Sequence, residues 1–276
     1  MTPRFRFAPR GREQLHELDD ILHEAYGAPE GLLGNQLDPL DEAIYIILSF
    51  QTDLARFKET WQSLRSAFPR WSDVEKASLD EVSAALRSGG LQRQKAVAIT
   101  RLLRAVRHQF GKLSLDVLHE MTDAEAERVV IRLPGMSWKG ARCVLLYSLD
   151  RKVFPIDGNT FRVLQRTGVI PLSAVYRRLS LHDAVQAAID PALRRRYHVN
   201  LVVHGQQVCL PQRPRCDVCC SATTCPRRGL PSQPPGNRAP QADVSDVPRS
   251  VHRERPVCSS GPAARRSTVH HIAVAG

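Results

Sequence analysis

No stretch of this sequence reaches the roughly 18 consecutive apolar residues that a membrane-spanning helix requires, so no membrane span is expected. The amino-terminal MTPRFRFAPRGREQ carries charge but lacks the apolar centre and small-residue cleavage site of a secretory signal. The chain is therefore expected inside the cell, where thiols stay reduced and grouped cysteines bind metal more often than they pair. The alternating apolar–polar runs of half-buried strands are missing as well, which argues against a sheet-based fold. What remains is 276 residues with 42 % hydrophobic and 24 % charged side chains, the balance of a soluble globular protein long enough for one large domain or two modest ones.

Negative charge is in short supply. The net charge of +11 points to a polyanionic partner. Residues 226–276 hold eight Arg against three acidic residues, which leaves +6 on the rest. From GLPSQPPGNRAPQADVSDVPRS onward the chain is rich in Pro, Ser, Gly and Arg without a hydrophobic period. Such a segment buries too little apolar surface to offset its conformational entropy, and residues 230–276 read as a disordered basic tail. Its arginines either touch nucleic acid or serve no purpose.

Ahead of the tail, helix follows helix. SLDE (Ser78 to Glu81) and TDAE (Thr122 to Glu125) are capping boxes, in which a hydroxyl and a carboxylate satisfy free N–H groups. SLDEVSAALRSGG predicts a helix closed by Gly89 and Gly90. KAVAITRLLRAVRHQFG repeats apolar residues at helical spacing through Val97, Ile99, Leu102, Leu103 and Val106 and stops at Gly111. DEAIYIILSF is nearly all apolar and suits a buried helix. The expected fold class is all-α.

Five of the seven cysteines lie in VCLPQRPRCDVCCSATTCP, residues 208–226. Cys209, Cys216, Cys219 and Cys225 follow C-x6-C-x2-C-x5-C, with Cys220 beside the third. Structural zinc more often uses two close pairs, whereas an iron–sulfur cube takes four thiolates spread around a larger object. The spacing alone leaves both open. Cys143 and Cys258 stand apart, as a buried thiol and a tail residue.

RLPGMSWKGARCVLLYSLDRKVFPIDGNTFRVLQRTG sets Pro134 and Gly135 in a tight turn between two helices, with Lys139 opening the second and Asp157 just ahead of the next. A turn of this kind offers backbone N–H groups to a phosphate at a helix N-terminus. Here the sequence resembles the endonuclease III family, helix–hairpin–helix DNA glycosylases that carry a [4Fe-4S] cluster. That family shows an L-P-G-x-G-x-K-T-A hairpin, a V-D-T-x-x-x-R-V segment and the same cysteine spacing. The likeness runs from DPLDEAIYIILSFQTD to Cys225.

The resemblance implies that Lys139 is the Schiff-base lysine, Asp157 the essential carboxylate, and Cys209, Cys216, Cys219 and Cys225 the cluster ligands. It implies that Gln51 fills the hole left by a flipped nucleotide and that Leu91 wedges into the opposite strand. Gly135 and Ser137 frame the phosphate-binding hairpin, while Arg213 and Arg215 meet the DNA backbone. The implied activity is removal of oxidised pyrimidines from duplex DNA, followed by strand cleavage at the abasic site. The implied architecture is a six-helix barrel over residues 38–150 and a cluster lobe from 1–37 and 151–229, acting as a monomer. A monofunctional mismatch adenine glycosylase and a catalytically weakened DNA-binding module are the rival readings.

Departures from the family pattern surround the active centre. Ser137 replaces a glycine, so a side chain there is expected to hold the backbone off phosphate or force an uncomfortable φ. Trp138 and Gly140 flank the lysine in place of a basic residue and threonine. Gly158 and Asn159 follow the aspartate, and LSFQTD is one residue short.

Overall fold

The computed structural model describes residues 5–27 and 31–231; the expected tail from residue 232 on, and Cys258 with it, lie outside the described residues. The described residues form α-helices without a strand, joined by turns and two short 3-10 segments. In chain order the helices are α1 (Gly11–Tyr26), α2 (Pro39–Leu48), α3 (Leu54–Ala67), α4 (Trp71–Lys76), α5 (Leu79–Ala85), α6 (Gln92–Phe110), α7 (Asp123–Arg132), α8 (Trp138–Tyr147), α9 (Gly158–Arg166), α10 (Leu179–Ala187) and α11 (Arg194–Gln207).

The apolar side chains gather into two cores. One draws its buried residues from Leu40 to Val153, and α2 runs through its middle with Leu40, Ala43, Ile44, Ile47 and Leu48 fully enclosed. The other joins Leu15, Leu18 and Leu22 of α1 to residues between Phe154 and Leu201. Helix α1 is tied down on this second core by Tyr197 Oη donating to the Leu15 carbonyl (2.8 Å) and by an Arg196–Asp19 ion pair (2.7 Å). Arg142 on α8, only 1 % exposed, fastens the cores to each other: it pairs with Glu127 on α7 (2.7 Å) and with Asp183 on α10 (2.5 Å).

Both capping boxes form, at Ser78–Glu81 and Thr122–Glu125. Helix α6 ends as expected at Gly111, whose left-handed φ of 71° closes it. Helix α5 does not run to Gly89. It stops at Ala85 and passes through a 3-10 turn, Arg87–Gly89, before Gly90 takes φ 63°. Packing tightens this end: a Cβ on Gly89 would sit 2.6 Å from Thr60 Oγ1, so only glycine lets the turn press against α3.

Candidate active site and cysteine loop

Helix α7 gives way to Leu133 and Pro134, and Gly135 makes the turn at φ 82°, a conformation that glycine adopts freely. A Cβ there would also lie 3.2 Å from Ile47 Cδ1, so the hairpin rests closely on α2. Ser137 overturns the strain expected of it. Its backbone is extended (φ −134°, ψ 174°), and its Oγ accepts the Gly140 N–H at 3.2 Å as the N-cap of α8. Glycine at 140 has its own cause, because a Cβ would stand 3.3 Å from Met136 Sδ and 3.4 Å from Ile46. Lys139 emerges half-buried from the first turn of α8.

Asp157 caps α9. Its Oδ1 accepts the Thr160 N–H (2.7 Å) and its Oδ2 accepts Asn159 Nδ2 (3.0 Å). Burial pushes this carboxyl up, but His198, Lys139 and the Thr160 N–H outweigh burial and hold it below the ordinary carboxylate range. The capping bond leaves Asp157 ionised and fixed in direction, as electrostatic work on a developing cation requires. The orientation continues outward. Asn159 Oδ1 accepts Arg162 Nη2 (2.8 Å), and Arg162 donates in turn to the carbonyls of Gly205 (2.7 Å) and Cys209 (2.9 Å).

Lys139 and Asp157 share a cavity of about 360 Å³ between the two cores. Gln51 and Ser137 also line it, together with Asn35, Cys143, Tyr147, Asn159, Tyr176 and His198. Leu91 is not among the lining residues; it stands 40 % exposed at the N-cap of α6. Gln51 and Leu91 nevertheless belong together. Both are non-glycine residues at φ 51°, an uncommon left-handed conformation, and their loops are bonded to each other. Thr52 Oγ1 donates to the Gly89 carbonyl (2.8 Å), and Lys95, 3 % exposed, donates to both that carbonyl and the threonine oxygen. Burial lowers the Lys95 amine.

Lys95 went unnoticed in the sequence although its signal was there: it falls in register with Ile99, Leu102 and Val106 on the apolar stripe of α6. Glu42 is a similar case, a carboxylate inside the apolar run of α2. It is fully enclosed, accepts Asn35 Nδ2 (2.6 Å) and the Gln36 N–H (2.7 Å), and burial pushes it up to about 8. His198 had no such signal, because α11 is buried from Tyr197 to Gly205 and offers no apolar face to contrast with it.

The cysteine loop closes on the end of α9 opposite the cavity. Arg166 donates to Cys209 Sγ (3.4 Å) and to the carbonyls of Leu210 (2.6 Å) and Pro211 (2.9 Å), while Cys225 Sγ donates to the Arg166 carbonyl (3.4 Å). Cys219 Sγ lies 3.3 Å from Ser221 Oγ and 3.7 Å from His204 Nε2. Its thiol is pushed down to about 3, by the Cys220 thiol first and by His204 and Ser221 after it, whereas burial raises Cys216 and Cys225. Among the described cysteines no disulfide forms. Cys209, Cys216, Cys219 and Cys225 feel one another's charge, yet among the described residues no three metal-binding side chains converge as a single ion demands. Four thiols on one loop within reach of one another's charge are the donor type that a thiolate-ligated group takes. Arg213, at φ 50°, and Arg215 are exposed on the same loop.

These features together define a helical protein with two apolar cores that sets a lysine and a fixed carboxylate in one cavity between them. The description "HhH-GPD superfamily base excision DNA repair protein" matches residues 44–180, a span that holds Gln51, Leu91, the hairpin, Lys139 and Asp157. That match covers just under half of the chain, and the fold is endonuclease III-like. It is similar to endonuclease III of Thermotoga maritima, 23 % identical over 184 residues that cover 67 % of this chain and 81 % of that protein. A putative DNA glycosylase of Arabidopsis thaliana is 29 % identical over 167 residues, 60 % of this chain and 56 % of the relative, so the chain spans little more than half of that protein. Among solved structures, an endonuclease III–DNA non-covalent complex superposes with a TM-score of 0.68 at 20 % identity, over 78 % of this chain and 95 % of that one, a likeness of fold.

Proposed function

We propose that the chain is an intracellular base-excision DNA glycosylase with abasic-site lyase activity, acting as a monomer on oxidised pyrimidines in duplex DNA. One observation carries the reading: Lys139 and the fixed carboxylate of Asp157 open on one cavity between the two cores. A base stacked in a duplex is out of reach of any side chain, so the nucleotide turns out into that cavity. Gln51 and Leu91, projected from the bonded loops, then stand in for the lost stacking.

Lys139 Nζ, as the neutral amine, forms a bond to the deoxyribose C1′ while the C1′–N bond to the base breaks and the base leaves with a proton. Opening of the sugar gives an imine, which acidifies the neighbouring C2′–H and lets the 3′ phosphate depart by β-elimination. Asp157 balances the positive charge that gathers on the sugar in the transition state. Cys209, Cys216, Cys219 and Cys225 are the residues that would hold a [4Fe-4S] cluster, a thiolate-ligated iron group able to fasten the loop and to exchange electrons. Exposed Arg213 and Arg215 would meet the DNA backbone from that loop. Borohydride reduction of the imine on DNA bearing an abasic site tests the reading, since it converts the intermediate into a permanent cross-link.

A further inference from the structure

The cavity has a direction. Lys139, Cys143 and Tyr147 follow one another at four-residue intervals along α8, and all three line it. His198, Val202 and Gln206 do the same along α11. The rings of Tyr147 and His198 approach to 6.1 Å, and His198 is 2 % exposed, whereas Gln206 at the other end of its stripe is exposed. Tyr147 and His198 therefore form the floor. The mouth lies towards Lys139 and Gln206, and eight residues of helix set Lys139 about 12 Å from Tyr147.

Tyr147 and His198 line the cavity, and each encloses a polar atom, Tyr147 Oη and His198 Nδ1, with no hydrogen-bond partner in the chain. Buried polar atoms are paired in the great majority of cases, so these two call for a water or a ligand group. The chemistry of the two atoms says what kind of partner it is. Burial drives His198 down to about 4, which leaves a neutral ring, and the Pro155 carbonyl takes a hydrogen bond from it. A neutral imidazole has one N–H, so the remaining ring nitrogen is an acceptor. The tyrosine hydroxyl beside it both donates and accepts. An acceptor next to a hydroxyl complements the edge of a nucleobase, where N–H and C=O groups stand side by side. With the sugar held at Lys139, the base is the part of a turned-out nucleotide that reaches this depth.

We propose that Tyr147 and His198 read the extruded base, and so help set which bases the protein accepts. The inference rests on the glycosylase reading above, but it concerns recognition of the base and not the chemistry at the sugar. Binding tests it without turnover. The full chain is titrated with duplexes that carry 5-hydroxycytosine, 5-hydroxyuracil or dihydrothymine on a 2′-fluoro sugar, which resists cleavage, and with a matched duplex carrying a tetrahydrofuran abasic analogue. The wild-type chain is expected to prefer at least one base-bearing duplex. Tyr147→Phe and His198→Gln, which keep the packing, should each erase about tenfold of that preference while the abasic affinity stays within about twofold, as loss of a buried hydrogen bond predicts. A preference untouched by both variants would overturn the proposal and leave water as the partner of the two atoms. So would an equal loss on the base-bearing and abasic duplexes, which would mark a purely structural role. Loss of the preference in a protein that never cross-links to abasic DNA would sustain the base-reading role while sinking the lyase chemistry.

Discussion

The two cores are held together by different means. The first is a continuous apolar interior in which α2 is nearly surrounded and α5 and α7 start from capping boxes. The second relies on α1, a segment remote in sequence, and on arginines bonded to backbone carbonyls: Arg162 to Gly205 and Cys209, Arg166 to Leu210 and Pro211. A core of the first kind stabilises itself by excluding water. A loop held by two cations through its carbonyls, with four thiols crowded beside them, depends on whatever those thiols bind. The comparison implies that the second region loses order first when its thiols are removed, and that damage there reaches Asp157 through Asn159 and Arg162.

The largest expected effect follows from that asymmetry. Cys216→Ser should give insoluble or iron-free protein, whereas Cys220→Ser should keep about four irons and a broad visible absorbance. Iron analysis of anaerobically purified protein checks this, and a colourless wild type holding one zinc would break the comparison. Next in size, Lys95→Met should free the loops of Gln51 and Leu91 from each other. Strand cleavage at an abasic site in duplex DNA should fall about tenfold, while cleavage of a single strand, where nothing has to be wedged apart, should hardly move. Equal losses on both substrates would deny the bonded loops a role in opening the duplex.

A third test probes the first core by pH. Glu42 is raised in the fold to about 8 from the ordinary carboxylate value of 4.5. The folded state therefore keeps a proton that the unfolded state releases, and this contribution to stability, complete below about pH 4, is lost as pH rises towards 8. Glu42→Gln should flatten that decline, so its stability relative to wild type should improve between pH 5 and pH 8 in urea melts. An unchanged slope would mean that Glu42 stays ionised in the fold. The smallest effect belongs to Ser137. As an extended N-cap it should tolerate glycine at a cost of a few tenths of a kcal/mol, with DNA affinity unchanged, in contrast to the crowding that its position in the hairpin suggested. Tighter binding by Ser137→Gly would restore the crowding.

How much of this could be read beforehand differs between the regions for a physical reason. Local signals were legible: the capping boxes, the Gly111 stop and the apolar α2. The early end of α5 was not, because it depends on Gly89 meeting Thr60 across a gap of 29 residues. The joint behaviour of Gln51 and Leu91 was equally hidden, since it rests on a bond between Thr52 and Gly89. Tyr147 and His198 meet only because α8 and α11 flank one cavity, and α11, buried without a break from Tyr197 to Gly205, carries no periodic pattern to announce it.

The central claim is that Lys139 attacks the sugar of a nucleotide held between the cores, and a borohydride trap tests it most directly. Wild-type protein mixed with duplex DNA carrying one abasic site and sodium borohydride should yield a covalent protein–DNA band. Lys139→Ala should bind the same duplex with affinity within a few-fold of wild type and yield no band. A Lys139→Ala protein that still cross-links would assign the chemistry to another amine. A wild type that binds the abasic duplex and never cross-links would contradict the lyase itself.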